Sequence, residues 1–595
     1  MKPSNHFTTL ASAALFATAW AACAHAQSSG WSNYDPYRGY YLTLTLWRVG
    51  MIVTATLAGF LLGWFFSPHA KELRRVIGIT LAGAAILIAV FDHGALGWST
   101  AFVISLIGFF VGLGYWMGRF VKALAEVPTT FGSGQFADAE HMSERGFFKP
   151  GGLLLGEAFD GMSTSRFAYH GQRHVLTFAP TRAGKGVSHL VPNLLKYQGS
   201  CVVIDPKGEN ALITAKARIE MGQQVYLVDP WNIAASKLGM EPAKINPMDW
   251  LKLSDTDAPE NAMILADALV VNDGKGEAFW REEAKALIQG VMLHVAFDAA
   301  YSGRSDLGTV RDLLLGDADQ LSRLFQEMAK SPHQLIASTG SRSLQKDPKL
   351  LSNVMASTQA ELHMMDSPRL REAMSDSDFR WEELKEKPMT VYLILPSDRI
   401  NAFSRFLRLM VEQSLTMNAR NIEIKPDHPV LYILDEMPAL GRLNMVEQAY
   451  GLMAGYSVQL WGIAQNVSQL KTIYGDNFET FIANAGAISY FGSKDKMSAE
   501  YFSDLCGVTT VWNFSTALSN ALSSNSGSGG YSNGSSTSTT DTRAATQRKL
   551  AFPDELMRLN DRQQLVLIED ANPIMGNRLR WYEQPDMRQR GASLR

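Results

Sequence analysis

Cysteine is scarce in this chain: three in 595 residues, Cys23, Cys201 and Cys506. Their spacing pairs none of them, which excludes both a zinc cluster and a disulfide framework. No H-E-x-x-H run occurs, so the zinc-protease class is disfavoured as well. Net positive charge is also missing. Lys and Arg number 55 against 58 Asp and Glu, for a net charge of −3. No global basic field advertises nucleic acid, so any such binding must rest on a local patch or a channel. Charged residues make up only 19% and hydrophobic residues 46%. That balance fits a globular protein carrying some membrane segments. At 595 residues the chain exceeds one compact core, and at least two domains are expected.

The apolar residues are concentrated at the start. Residues 1–26 carry Lys2, an Ala-rich run from Leu10 to Cys23, and Ala24-His25-Ala26 as a cleavage-like site. A secretory signal and an uncleaved first transmembrane helix are both open readings. Within residues 27–125, three longer runs lie near 49–66, 76–91 and 98–117. Each approaches the roughly 20 residues that span a bilayer. Lys71, Arg74 and Arg75 separate the first two runs, while Arg119 and Lys122 follow the third. Positive residues favour the cytoplasm, so everything beyond 118 is expected inside. Tyr40, Tyr41 and Trp47 are expected at the outer interface, with Arg48 snorkelling beside them.

The remainder turns on residues 174–188, HVLTFAPTRAGKGVS. A strand-like run leads into Pro180, Thr181, Arg182, Ala183, Gly184, Lys185, Gly186 and Val187, and a helical pattern leads out. Strand, loop and helix are the context of a phosphate-binding loop, with backbone N–H groups on the phosphates and Lys185 reaching the outer ones. Two positions depart from G-x-x-x-x-G-K-[ST]. Ala179 replaces the first glycine, and Gly186 replaces the hydroxyl that holds magnesium. Water, Thr181 or Ser188 is left to supply that ligand. Pro192 falls in the helix and is expected to bend it or remove a hydrogen bond.

Downstream runs complete the constellation. VLYILDE at 430–436 is a buried strand ending in Asp435, placed to hold magnesium, and Glu436, placed to activate water. SVQLWGIAQ at 457–465 ends in Gln465, suited to sense the terminal phosphate. CVVID ends at Asp205 before Pro206-Lys207-Gly208-Glu209, and VYLVD ends at Asp229. Such tips line the mouth of a parallel sheet, where ligands bind; for Asp229 a plain turn role is an equal reading.

The blocks APTRAGKGVSHLVPNLL, VVIDPKGE, VYLVDPW, TVYLILPSD, LYILDEMPALGRL and GIAQNVSQLKTIYG occur in that order. Together with FGSGQFA at 131–137, the chain resembles the TraG/TraD-like coupling-protein ATPases of type IV secretion and conjugation. Glycine after the loop lysine is common in that group. The resemblance implies an α/β fold: a RecA-like P-loop nucleotide-binding domain with an inserted all-α domain, preceded by transmembrane helices. It implies ATP and Mg2+ as cofactors, a homo-hexameric ring and a multi-pass bacterial inner-membrane location with the ATPase part in the cytoplasm. It further implies partners: a relaxase–DNA complex or secreted effector proteins, inner-membrane secretion components, and single- or double-stranded DNA held without sequence preference. A trans-acting arginine finger from the neighbouring subunit is expected in that group, yet LMAGYS after Gly451 offers no Arg; Arg442 is a candidate only by position near the site.

The cytoplasmic part then divides into 127–254 and 386–595, the two parts of a nucleotide-binding domain, around an all-α insertion at 255–385. Helical spacing covers 258–271, 277–299, 308–329 and 349–364, with Asp257 to Glu260 resembling a capping box. Residues 514–545 are rich in Ser, Gly, Asn and Thr and are expected as a flexible loop. DRQQLVLIE at 561–569 returns as a late strand, with RLRWYEQ at 578–584 a candidate edge. An FtsK-type translocase and a nucleotide-binding scaffold without hydrolysis are the alternatives. The helical insertion and the DPKGE block weigh against the first. Lys185, Asp435 and Glu436 weigh against the second.

Overall fold

The computed structural model describes residues 37–66, 70–92, 95–125, 129–270, 278–527 and 530–594. Side chains are described within these ranges except at 64–66, 70–76, 119–125 and 512–544. The signal-like reading of 1–26 falls outside the described residues. Two compact units emerge: residues up to 129 with 511–546, and 130–510 with 547–595.

In the first unit, helices α1 (Arg38–Phe66), α2 (Ala70–Phe91) and α3 (Trp98–Ala125) contain the three apolar runs. Two stretches, Arg38–Gly63 and Trp98–Gly118, are long and apolar enough to cross a membrane; the apolar part of α2, Ile77–Phe91, is shorter. Helices α1 and α3 pack closely because the facing positions are small. A Cβ on Gly59 would lie 2.2 Å from the Phe109 carbonyl oxygen, and one on Gly108 would lie 2.2 Å from Thr56 Oγ1. Small residues that let backbones approach are the usual device for helix pairs in lipid. Arg48 does not snorkel. It is buried, donates to the Leu96 carbonyl and lies 5.1 Å from the Trp98 ring centre. Its charge is taken up by a loop carbonyl and an aromatic face instead of interfacial water.

The strands run in chain order as β1 (Leu153–Phe159), β2 (Thr164–Tyr169), β3 (His174–Phe178), β4 (Cys201–Asp205), β5 (Gln224–Val228), β6 (Met389–Ile394), β7 (Val430–Leu434), β8 (Val458–Ala464), β9 (Ala485–Tyr490), β10 (Val508–Gly527), β11 (Gly530–Lys549), β12 (Gln563–Ile568) and β13 (Ile574–Asn577). Eleven form one sheet ordered β2-β1-β13-β12-β9-β3-β8-β7-β4-β6-β5. From β9 to β5 every neighbouring pair is parallel, and from β2 to β9 every pair is antiparallel. The parallel strands are near-continuous Val, Ile and Leu because helices cover both faces. β3, β4, β6, β7 and β8 are buried throughout. The carboxyl ends of β3, β8, β7, β4, β6 and β5 therefore share one edge, which positions the site.

Between β5 and β6 the chain is helical, including Ala258–Leu269, Ala278–Phe297, Leu307–Leu314, Ala318–Ala329, Gln334–Gln345 and Pro348–Glu361. These helices share a hydrophobic cluster with the sheet. The pattern at 308–329 is broken at Gly316, and the capping box forms there, between Asp317 and Gln320. It does not form at Asp257, whose side chain makes no cap. Asp255 instead accepts from Asp257 N at 2.9 Å and from Asn261 Nδ2 at 3.2 Å. The Ser/Gly-rich segment is a two-stranded hairpin, β10 with β11, where a loop was expected. Its backbone amides pair with each other, so its order does not depend on an apolar core. RLRWYEQ adds no edge: Trp581–Glu583 is a short 3-10 turn, and β13 precedes it.

Arg218 is the polar tie at the back of the sheet. Fully buried on the helix Glu209–Glu220, it donates to Tyr197 O at 2.5 Å, Gly199 O at 2.7 Å and Thr390 Oγ1 at 2.9 Å. Carbonyl dipoles replace the water this cation has lost. Arg218→Met would strand several of these acceptors. It is expected to cost about 3 kcal/mol or more, read as a lowered denaturation midpoint of the purified protein.

Candidate functional site

β3 ends at Phe178, and the chain turns through Pro180 to Lys185. Ala179 N still donates to Ala464 O on β8 (2.9 Å), so the position without glycine is an ordinary extension of the strand. Gly184 has φ 89°, a region closed to most side chains, and Arg182 adopts φ 64° in the exposed crown of the loop. Ala183 N donates to Pro180 O (3.0 Å), and Ser188 N to Gly184 O (2.9 Å). The helix then begins wide, as a π turn over Gly186–Leu190, before a regular turn over Val191–Leu194. The expected effect of Pro192 is realised here: it has no N–H to give, and Val191 N reaches back to Gly186 O, five residues away. Gly186 has an ordinary φ, and a Cβ there would meet nothing within 4 Å. Of the hydroxyls near the loop, Thr181 is exposed and Ser188 is buried.

Four side chains converge on this loop as the sequence predicts. Lys185 Nζ lies 2.7 Å from Asp435 Oδ1 and 2.9 Å from Glu436 Oε2. Glu436 Oε1 accepts from Gln465 Nε2 at 2.7 Å. Asp435 directly follows β7, and Gln465 directly follows β8, the strands next in line from β3. Glu436 sits at φ 62°, a left-handed turn that swings its carboxylate back over the strand end. Burial alone would lower the Lys185 ammonium, but the Asp435 and Glu436 charges outweigh it and hold it above its usual value. Burial raises the Asp435 carboxyl, with Lys185 pulling the other way.

Asp205, at the tip of β4, is fully buried. Its Oδ2 accepts from Ala211 N at 2.8 Å. Burial pushes its carboxyl up to about 7, the Ala211 N–H opposes this, and the Asp435 charge adds to it. Lys207 and Glu209 are exposed beside it. Asp229 takes the turn role: Oδ2 accepts from Ala234 N (2.8 Å) and Ala235 N (3.1 Å) at the start of a short helix. Arg442 is not brought to the lysine. It pairs with Glu447 at 3.3 Å and lines a separate cleft with Asn444 and Thr480.

Two supports escape a reading by motif. Arg578, one residue past β13, donates from Nη1 to Ala183 O in the loop at 2.8 Å. It also donates from Nη2 to Phe491 O at 2.5 Å and from Nε to Gln563 O at 2.8 Å, and it lies 4.3 Å from the centre of the Phe491 ring. Burial brings its guanidinium down to about 10. His189, in the π turn, bonds Leu155 O at 3.0 Å and Gln564 Oε1 at 3.1 Å, and burial takes its imidazole down to about 4. A cation after a late strand and a histidine inside an apolar helix were the available signals. Neither carries a spacing that names its partner.

A family profile described as "Type IV secretory system Conjugative DNA transfer" matches residues 135–595. The conjugal transfer protein TraG of Escherichia coli is 30% identical over 374 residues, spanning 58% of this chain and 56% of TraG. Protein VirD4 of Rhizobium radiobacter is 25% identical over 460 residues, spanning 76% of this chain and 64% of VirD4. The chain thus covers less than two thirds of the length of either relative. Among solved structures, the plasmid coupling protein TrwB in complex with ADP and Mg2+ superposes with a TM-score of 0.55 at 16% identity, over 78% of this chain and 98% of that one. At that identity the likeness is one of fold: the P-loop α/β architecture.

The raised Asp205 carboxyl has a stability consequence. The native state keeps the proton between the ordinary value near 3.8 and its own value of about 7, while the unfolded state releases it. Its stabilising contribution is full below about pH 4 and is lost as pH rises to about 7. Asp205→Asn is therefore expected to gain on the wild type across that window in thermal-shift midpoints. A pH-independent difference would contradict the assignment.

Proposed function

Since the chain belongs to the type IV secretory system conjugative DNA transfer family, we propose that it is a membrane-anchored coupling ATPase that drives DNA transfer through a secretion channel. The single observation that carries the enzymatic part is the junction of Lys185 with Asp435, Glu436 and Gln465 at the mouth of a parallel sheet. A loop lysine, a strand-end carboxylate pair and a polar residue on the next strand are the parts that phosphoanhydride hydrolysis needs. The name of the TrwB structure with ADP and Mg2+ supports the cofactor assignment.

In the structure Lys185 is neutralised internally. On this reading, triphosphate oxygens take over the ammonium from Glu436, and the loop from Pro180 to Val187 wraps the phosphates through its backbone. Glu436, released from the lysine, orients the attacking water and takes its proton. Gln465, now bonded to Glu436, turns to the terminal phosphate. The donor set near the loop suits Mg2+: a largely buried carboxylate, Asp435, and an open approach at Gly186. Magnesium keeps several waters and binds through one or two carboxylates plus the substrate. Asp435 would hold it, and it would neutralise charge developing between the outer phosphates. Arg578 holds the loop carbonyl from behind and so fixes the curvature of the phosphate cradle.

The apolar helices support an inner-membrane location, and the proposal extends to a multi-pass anchor with residues from about 127 onward in the cytoplasm. Residues 127–254 and 386–595 form the motor, and the helices of 255–385 meet the cargo. A relaxase–DNA complex is the proposed cargo, with effector proteins the second class. Secretion components of the inner membrane are the proposed docking partners. The working assembly is proposed as a homo-hexameric ring.

Hydrolysis by purified full-length protein in detergent, with and without DNA, tests this reading. DNA-stimulated hydrolysis is expected, and hydrolysis indifferent to DNA would move the cargo to proteins. Glu436→Gln is expected to lower kcat by about 10²–10⁴-fold while nucleotide still binds. Lys185→Ala is expected to lose both hydrolysis and tight binding. Arg578→Met leaves Ala183, Phe491 and Gln563 carbonyls without their donor, and it is expected to weaken nucleotide binding about tenfold or more, read as raised KM. Unchanged KM in that variant would remove Arg578 from the site.

A further inference from the structure

The edge that carries the nucleotide site continues past it. Beyond β7 come β4, β6 and β5, all parallel, so the loops after them open on the same side. Lys207 follows β4, Trp231 follows β5, and Arg399 follows β6. Ser397 Oγ donates to Pro206 O at 3.3 Å and ties the β6 loop to the β4 loop. The start of the helix Pro368–Ala373 closes the group from the helical insertion. The β5 loop, the β6 loop and this helix start make an open cleft of about 410 Å3 lined by Trp231, Ser367, Pro368, Arg369, Arg399 and Phe403, with Lys207 on the neighbouring β4 loop and outside that lining.

The chemistry of this cleft is one-sided. Trp231 and Phe403 are half-buried, with ring centres 5.2 Å apart and planes tilted by 53°. Their backs pack on the core, and their fronts line the cleft. The Arg399 guanidinium lies 5.5 Å from the Trp231 ring centre. Its carboxylate neighbour is Asp398 at 3.4 Å, which is itself largely exposed. Arg369 and Lys207 are exposed, and among the described residues neither side chain is joined in an ion pair. The two acidic residues nearest in sequence to Arg369 are already engaged, Asp366 by Arg311 and His363 and Glu372 by Lys244. Two flat apolar faces ringed by cations are the recipe for an unpaired base with its phosphates. With Arg369 and Arg399 assigned to phosphates, Ser367 is the one other polar side chain in the lining, too little to read base edges, so binding would be indifferent to sequence. A duplex keeps its bases stacked inside and offers such rings nothing.

We propose that this cleft grips single-stranded nucleic acid, stacking a base on Trp231 and Phe403 and holding the adjoining phosphates with Arg369, Arg399 and Lys207. The inference rests on the DNA-transfer reading and gives that reading a contact point. It also explains how a chain with net charge −3 binds a polyanion: the cations are local and the rings supply the rest. Because β4, which ends at Asp205 near Asp435, lies between β7 and β6, a strand bound on the β6 loop lies two sheet positions from the nucleotide machinery.

The test uses full-length protein in detergent and a fluorescein-labelled thymidine oligonucleotide, single-stranded or annealed, read by anisotropy. Trp231→Ala is expected to weaken single-strand binding about fivefold or more. Arg369→Gln and Arg399→Gln, both at exposed positions, are each expected to flatten the salt dependence by about 0.7 of a log unit per log unit of salt. Binding of a fluorescent ATP analogue is expected to stay at the wild-type level in all three. An oligonucleotide carrying 5-iododeoxyuridine is expected to cross-link to Trp231 or Phe403. Wild-type affinity in all three variants, with cross-links elsewhere, would overturn the cleft while leaving DNA transfer standing. Equal loss of duplex and single-strand binding would overturn the stacking argument. A wild-type protein that binds neither form would overturn both readings together.

Discussion

A partly buried lysine between two carboxylates organises this molecule. Lys185 stands at the base of a glycine-poor loop, and its charge is tolerable there only because Asp435 and Glu436 lie within 3 Å. Breaking such a partly buried pair from one side leaves a desolvated charge, so its members are held together by necessity. The pair therefore fixes the register of β3 against β7, with β8 between them. It also leaves the loop closed on itself and ready to exchange internal anions for phosphate oxygens. Two features at this edge of the sheet accompany that arrangement: the left-handed turn at Glu436 and the Gln465 contact.

The antiparallel flank acts as a buttress. A parallel sheet with a P-loop needs only its central strands, yet here β12, β13, β1 and β2 extend it beyond β9. Their contribution is specific. Arg578 reaches from the end of β13 to the loop carbonyl of Ala183, and Gln564 on β12 bonds His189 in the π turn. The loop is thus held from its outer side by groups that never face substrate. On the other side of the sheet, Arg218 performs the same service for the starts of β4 and β6. Polar groups with every valence used make rigid supports, and rigidity is what a phosphate cradle requires.

Much of this was legible in the sequence, for a physical reason. Asp435 follows an unbroken apolar run and Gln465 a run broken only at Gln459, so their place at the mouth of a parallel sheet follows from the runs themselves. The loop residues Pro180 to Val187 sit between a strand pattern and a helix pattern, and the structure keeps that order. What failed to show were contacts without periodicity. Arg578 reaches the loop across 395 residues of chain and His189 meets Gln564 across 375, and nothing local marks either pairing. The capping box was misplaced from Asp317 to Asp257 because both segments offer the same side-chain types. Asp255, two residues upstream, competes for the backbone at the second site. The hairpin of β10 and β11 is invisible to composition, since backbone amides pair whatever the side chains are. By hydropathy Arg48 is an interfacial cation, since hydropathy cannot foresee the Leu96 carbonyl and the Trp98 face.

The central claim is that the Lys185 pair is an internal placeholder for nucleotide. A high-resolution structure of the full-length protein with a non-hydrolysable ATP analogue and magnesium would test it most directly. The account predicts Lys185 on phosphate oxygens, parted from Glu436, with Gln465 turned to the terminal phosphate and the Arg578 bond to Ala183 intact. A bound nucleotide that leaves Lys185 between Asp435 and Glu436, with its phosphates elsewhere, would contradict it.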